Sequence, residues 1–163
     1  MSERELLQTS RFSVVELASP SGPPRQVIRH PGSVVIVPMV DEHHVCLIRN
    51  YRVSVAQTLV ELPAGTREPN EAPAVTATRE LAEETGYRAE SFERITSFLP
   101  APGILDERMV LYLARGLSEG VPAREAGEQI ENLVVSWQEA MAMVTEMATG
   151  SRFEFESEQK DPV

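Results

Sequence analysis

"RELAEETGY" (residues 79–87) sets three carboxylates, Glu80, Glu83 and Glu84, at spacings i, i+3 and i+4. On a helix these positions share one face as near neighbours. Like charges placed this way repel by roughly 0.2–0.5 kcal/mol per pair. Gly86 reads as the helix stop, in the position that favours a left-handed backbone. Glu83 and Glu84 then fall in the last turn, where the macrodipole is already negative and cations are preferred. The stretch breaks two local rules at once, and a bound cation would reconcile both.

Outward from this stretch, the spacing predicts a helix over 72–85. Pro73 sits in its first turn, and Val75, Thr78, Leu81 and Ala82 form an apolar stripe. Upstream, GSVVIVPMV (32–40), HVCLIRNYR (44–52) and QTLVELPAG (57–65) read as strands. The first is apolar almost throughout, as in a strand covered on both faces. FSVVEL (12–17) and QVIRH (26–30), around the PSGPPR cluster (20–25), read as a hairpin or strand pair. Downstream, SFERITSFL (91–99) and ERMVLYLAR (107–115) are strands on either side of PAPGILD (100–106). IENLVVS (130–136) is a further strand, and WQEAMAMVTEMATG (137–150) an amphipathic helix. The simplest packing is an α/β one, a mixed sheet with helices on either side. Residues 1–31 form an N-terminal β arm of the same domain, 32–150 its main body, and 151–163 a charged, fraying tail.

The chain has 163 residues, ordinary for one domain with a substantial core. Its formal net charge of −10 argues against non-specific nucleic-acid binding, which needs a basic surface. The start, MSERELLQTS, predicts no secretory signal, and no apolar run is long enough to span a bilayer. The single cysteine, Cys46, excludes an internal disulfide and fits a reducing, cytoplasmic setting. Between Val45 and Leu47 it reads as core. His30, His43 and His44 read as surface or strand-end residues, not ligands.

A solvated acidic face is the commoner fate of clustered glutamates. Here, however, Gly65 precedes Glu71 by six positions, and Glu71 is followed by Arg79-Glu80-Leu81-x-Glu83-Glu84-x-Gly86-Tyr87. This pattern resembles the Nudix box, the signature of the Nudix hydrolases, at every fixed polar and glycine position. The closing position is usually aliphatic, so Tyr87 departs mildly. The resemblance implies an α/β/α sandwich and a loop–helix–loop that binds a divalent cation. Carboxylate oxygens are hard ligands suited to Mg²⁺ or Mn²⁺. It implies Glu80 and Glu84 as principal metal ligands, with Glu83 sharing metal or orienting a water. The carbonyl of Ala64 corresponds to a further ligand, Arg79 and Glu71 to a bracing pair, and Gly65 to the turn that admits the loop.

ELPAG before the box, NYR on an earlier strand and APGILDE after it resemble the ADP-ribose pyrophosphatase branch. That branch implies Arg52 as a substrate contact, through a guanidinium fork that suits phosphate. Glu107 would accept hydrogen bonds from ribose hydroxyls. A glutamate on a late loop would be catalytic base or further ligand; Glu128 matches best, Glu131 second and Glu125 third. Two departures bear on substrate range: the tail lacks a further apolar helix, and the segment from Arg115 to Glu128 lacks a dense acidic run. The implied reaction is metal-dependent hydrolysis of a nucleoside diphosphate derivative, ADP-ribose to AMP and ribose 5-phosphate. A GDP-sugar, an oxidised nucleotide or a non-catalytic ADP-ribose sensor are the alternatives. The branch also implies a homodimer in which the N-terminal strands of one subunit pack on the other.

Overall fold

The computed structural model describes residues 2–124, 127 and 129–149. Its centre is β4 (Ser33–Pro38), part of the run expected to be covered on both faces. Val34 and Ile36 are fully buried on one side with Ala77, Leu81, Val110, Tyr112 and Ala114. Val37 packs on the other side, in a cluster with Val45, Leu47, Leu133 and Ala140. Alternation along one strand thus feeds two cores.

β4 belongs to a four-stranded sheet in the order β7 (Ala64–Thr66), β4, β9 (Met109–Ser118), β8 (Arg88–Phe98). β4 and β9 are parallel and the other pairs antiparallel, so the sheet is mixed. β10 (Ile130–Ser136), β5 (His44–Arg52) and β6 (Gln57–Glu61) form a second, antiparallel sheet in that order. α1 (Pro73–Glu80) covers the first sheet through Ala77, and α2 (Trp137–Thr149) covers β5 and β10 through Ala140 and Met143. The layering is the α/β/α sandwich expected. None of the described helices is long and apolar enough to cross a membrane.

Three local features differ from the sequence reading. QTLVELPAG is two strands, not one. β6 stops at Glu61, and Pro63, which has no N–H to give a ladder, marks where the chain changes sheets. β7 then pairs with β4, Gly65 opposite Val34 and Ala64 opposite Val35. The arm is a three-stranded sheet of β1 (Glu3–Gln8), β2 (Ser13–Leu17) and β3 (Arg25–Arg29). Every residue of β1 is exposed, so it carries no apolar alternation by which a strand is recognised. The arm is fastened to its own chain: Ile28 N–H donates to Ile104 O at 2.8 Å, and Arg29 pairs with Asp106 at 2.8 Å.

The third difference lies in the helix of the acidic stretch. Regular α winding runs from Pro73 to Glu80 and continues as a π-turn, Leu81–Thr85. The Thr85 hydroxyl donates to Leu81 O, the acceptor that α winding would give to the Thr85 amide. Gly86 closes the turn at φ 81°, in the left-handed region. A Cβ added there would lie 2.6 Å from Gly120 O and 2.9 Å from Pro122 Cδ. Gly86→Ala should therefore destabilise the fold by ~1–3 kcal/mol from backbone strain alone, with steric overlap adding to it. Denaturant titration checks this; a wild-type midpoint would contradict it.

Candidate active site

The turn between β6 and β7 runs beneath the acidic face of the helix. Gly65 lies so close to Glu80 that a Cβ would fall inside its carboxylate. Only glycine permits this approach. Glu80 is 9% exposed and Glu84 only 4%, and Glu84 Oε2 accepts the Ala64 N–H at 3.0 Å. Tyr87 is partly buried against the Leu81 core, so the departure at the end of the motif is absorbed by packing.

Arg79 organises the face. Its Nη1 donates to Glu80 Oε1 and to Glu83 Oε2, each at 2.8 Å. Its Nε and Nη2 hold the two oxygens of Glu71, both at 3.1 Å, and Nη2 also reaches Thr66 O at 3.2 Å. Glu71 is fixed further by the Thr76 hydroxyl at 2.8 Å and by the Glu68 N–H at 3.1 Å. Arg67 donates to the Glu71 carbonyl. The Arg79 hydrogen bonds, aided by those from Glu68 and Thr76, pull the Glu71 carboxyl down to about 2 against the opposing effect of desolvation. The Glu71 contact likewise raises the Arg79 guanidinium, with Glu83 and Glu80 contributing.

Ala64, Gly65, Arg79, Glu80, Glu83 and Glu84 line a cleft of about 620 Å³. Arg52 and Glu107 line it too, with Arg11 and Arg67. Arg52 is held by Glu61 through Nε and Nη2, the shortest contact being 2.7 Å. Glu107 stands 3.4 Å from His30 Nδ1, and both side chains are largely buried. His30 directly follows β3, the strand-end place expected of it, and is largely buried beside Glu107. Arg11 belongs to the β1–β2 turn, pinned by the Thr9 hydroxyl, which accepts the Arg11 and Phe12 amides. Arg11 carries no sequence signal for this position, since it meets the site only through arm docking.

Glu128 and Glu125 lie outside the described residues. Glu131 is on β10, exposed and paired with Arg49 at 3.5 Å, away from the cleft lining. Cys46 is fully buried, and burial pushes its thiol up to about 11, as a core residue and not a nucleophile. As the side chains lie, no three His, Cys, Asp or Glu among the described residues stand in metal-holding geometry. Glu80 and Glu83 are turned to Arg79 and Glu84 to the Ala64 amide. The donor set nonetheless fits a hard divalent cation: three carboxylates and a backbone carbonyl, two of the carboxylates buried at the negative end of a helix.

A pattern describing the NUDIX domain matches residues 29–155, and the chain belongs to the Nudix family. It is a Nudix pyrophosphohydrolase, similar to ADP-ribose pyrophosphatase of Bacillus subtilis at 37% identity over 132 residues, 80% of this chain and 71% of the relative. The methanol dehydrogenase activator of Bacillus methanolicus is also 37% identical, over 134 residues, 81% of this chain and 72% of that protein. A solved structure of an ADP compounds hydrolase superposes with a TM-score of 0.72 over 89% of this chain and 81% of its own. At 24% identity, that likeness concerns the fold.

The Glu71–Arg79 pair makes acid sensitivity predictable. A carboxyl depressed from its ordinary 4.5 to about 2 contributes stability that is present above 4.5 and lost as pH falls toward 2. Glu71→Gln should be less stable than wild type at pH 7, with the gap closing between pH 4.5 and 2. Denaturant melts across that range read the difference; a gap independent of pH would contradict the assignment.

Proposed function

We propose that this hydrolase cleaves the pyrophosphate bond of a nucleoside diphosphate derivative with Mg²⁺, ADP-ribose being the favoured substrate and AMP and ribose 5-phosphate the products. The observation that carries this reading is the pair of buried carboxylates, Glu80 and Glu84, on one wall of a cleft also lined by Arg52 and Arg11. Similarity to the ADP-ribose pyrophosphatase of Bacillus subtilis supports the substrate.

Glu80, Glu84 and the Ala64 carbonyl would hold the cation, with Glu83 sharing it or orienting the attacking water. When bound, the cation supplies positive charge at the phosphate oxygens and makes a water easier to deprotonate. Arg52 takes a phosphate oxygen with its planar fork, oriented by Glu61. Glu107 accepts hydrogen bonds from ribose hydroxyls. Glu128 takes the proton of the water as its oxygen bonds to one phosphorus and the bridging P–O bond breaks. Arg79 keeps the wall assembled while substrate and cation exchange.

The protein is also taken to be a homodimer. Leu6, Leu7 and Phe12 of the arm are exposed apolar side chains, and a second copy would cover them. Light scattering at micromolar concentration should give twice the 18.1 kDa chain mass; a monomer would sink the dimer.

A panel of nucleotide derivatives with Mg²⁺, read by phosphate release after phosphatase treatment, tests the substrate. ADP-ribose should turn over fastest; binding without turnover would make the protein a sensor instead. Glu80→Gln and Glu84→Gln should each lower kcat by more than ~10²-fold, the upper end for partners one shell further from a metal, while the protein stays folded. Glu128→Gln should lower kcat ~10²–10⁴-fold as expected for a lost general base, with substrate affinity kept. Near-normal turnover of the first two at saturating Mg²⁺ would remove the metal assignment.

A further inference from the structure

The last five carbonyls of the acidic helix all have partners. Leu81 O takes the Thr85 hydroxyl, and Ala82 O takes the Gly86 N–H at 3.0 Å. The next three are reached from a segment far along the chain. Ala123 N–H donates to Glu83 O at 3.0 Å, Arg124 Nε to Glu84 O at 3.0 Å, and Asn132 Nδ2 to Thr85 O at 2.8 Å. Arg124 Nη2 also donates to Asn132 Oδ1 at 3.1 Å, so the two side chains form one bridge. Helix ends usually give such carbonyls to water or to a local turn. Here residues 40 and 47 positions away supply the donors.

Two of these carbonyls belong to Glu83 and Glu84 themselves. The side chains of both line the cleft, and the winding of their backbone sets the phase at which they leave the helix relative to Glu80. A π-turn is a rare winding, frequent at functional sites, and its open carbonyls are where an outside partner can hold it. Arg124 also brings a full positive charge to the negative end of a helix already crowded with carboxylates. The segment lies against the helix end without intervening side chains: a Cβ on Gly120 would come 2.7 Å from Gly86 O.

We propose that Arg124 and Asn132 are positioning residues of this hydrolase, bridging Glu84 O and Thr85 O so that Glu83 and Glu84 are presented to the cation in register with Glu80. The proposal rests on the metal reading of the three glutamates given above. It assigns Arg124 and Asn132 no contact with substrate. Their effect runs through the backbone of the π-turn.

The test measures Mn²⁺ binding to substrate-free protein, from the electron paramagnetic resonance signal of the unbound ion, together with kcat and KM for ADP-ribose well below the melting temperature. The variants are Arg124→Gln, Arg124→Lys and Asn132→Asp, with Glu84→Gln as the reference for a lost ligand. Arg124→Lys keeps the charge but has no planar fork to span Glu84 O and Asn132 at once. Each bridge variant should weaken Mn²⁺ binding and lower kcat by roughly 10–100-fold, as loss of the groups that orient a metal's ligands does, with KM unchanged. If Arg124→Gln fails to fold, Asn132→Asp, which removes one donor and keeps the shape, gives the same readings. Bridge variants that melt earlier yet keep wild-type Mn²⁺ affinity and kcat, while Glu84→Gln loses both, would overturn the bridge and leave the metal reading standing. Wild-type protein that holds no Mn²⁺ would overturn both.

Discussion

The Arg79 guanidinium stands among Glu71, Glu80 and Glu83 and donates to all three. Its side chain is about a quarter exposed, and two of its partners are far less so. Carboxylates gathered this closely in a partly desolvated wall would repel one another, and removing one member of a buried pair costs on the order of 3–5 kcal/mol. Arginine can satisfy the arrangement because its donors diverge in one plane; a lysine ammonium offers a point charge without that fork. The constraint runs outward from there. Glu71 must be held by Thr76 and Glu68 to face Arg79, and the loop before the helix folds back to do it.

The β-structure makes this wall rigid. β4 is packed on both faces, against the α1 side through Val34 and Ile36 and against the second sheet through Val37. The chain leaves the second sheet at Pro63 and enters the first at Ala64, directly under the helix. Ala64 and Gly65 can then meet Glu84 and Glu80 because that crossing is anchored by the Ile36 amide on Pro63 O at 2.9 Å. Close packing on both sides means that neither helix nor crossing can shift independently.

The cleft has two chemical characters. One wall is acidic and suits a cation, while Arg11, Arg52 and Arg67 stand around it. A chain of net charge −10 thereby presents a site for an anionic small molecule without a basic surface at large. The arm joins this site through its own chain, with Arg29 on Asp106 and Ile28 on Ile104 beside the loop that carries Glu107. Relatives of this chain carry different named activities, and a fold by itself does not choose a substrate.

Much of the candidate site was legible in the chain itself, and for a physical reason. Glu80, Glu83, Glu84 and Arg79 lie within one helical segment, where period alone says which residues share a face. Gly65 and Glu71 stand at fixed spacings before it, and Gly86 marks its stop by needing a left-handed backbone that other residues resist. The apolar run of β4 likewise announced a strand with two covered faces. What the sequence could not disclose lies where contact and chain distance part company. β1 is held by backbone pairing with no buried face, Arg52 meets Glu61 across a strand pair, and Arg11 arrives with the arm. The carbonyls of the π-turn are met by the Thr85 hydroxyl and by donors 40 and 47 residues away. Local geometry repeats with the period of its element and leaves that period in the sequence. Contacts made by closing long loops repeat with nothing, and only the packed tertiary structure decides them.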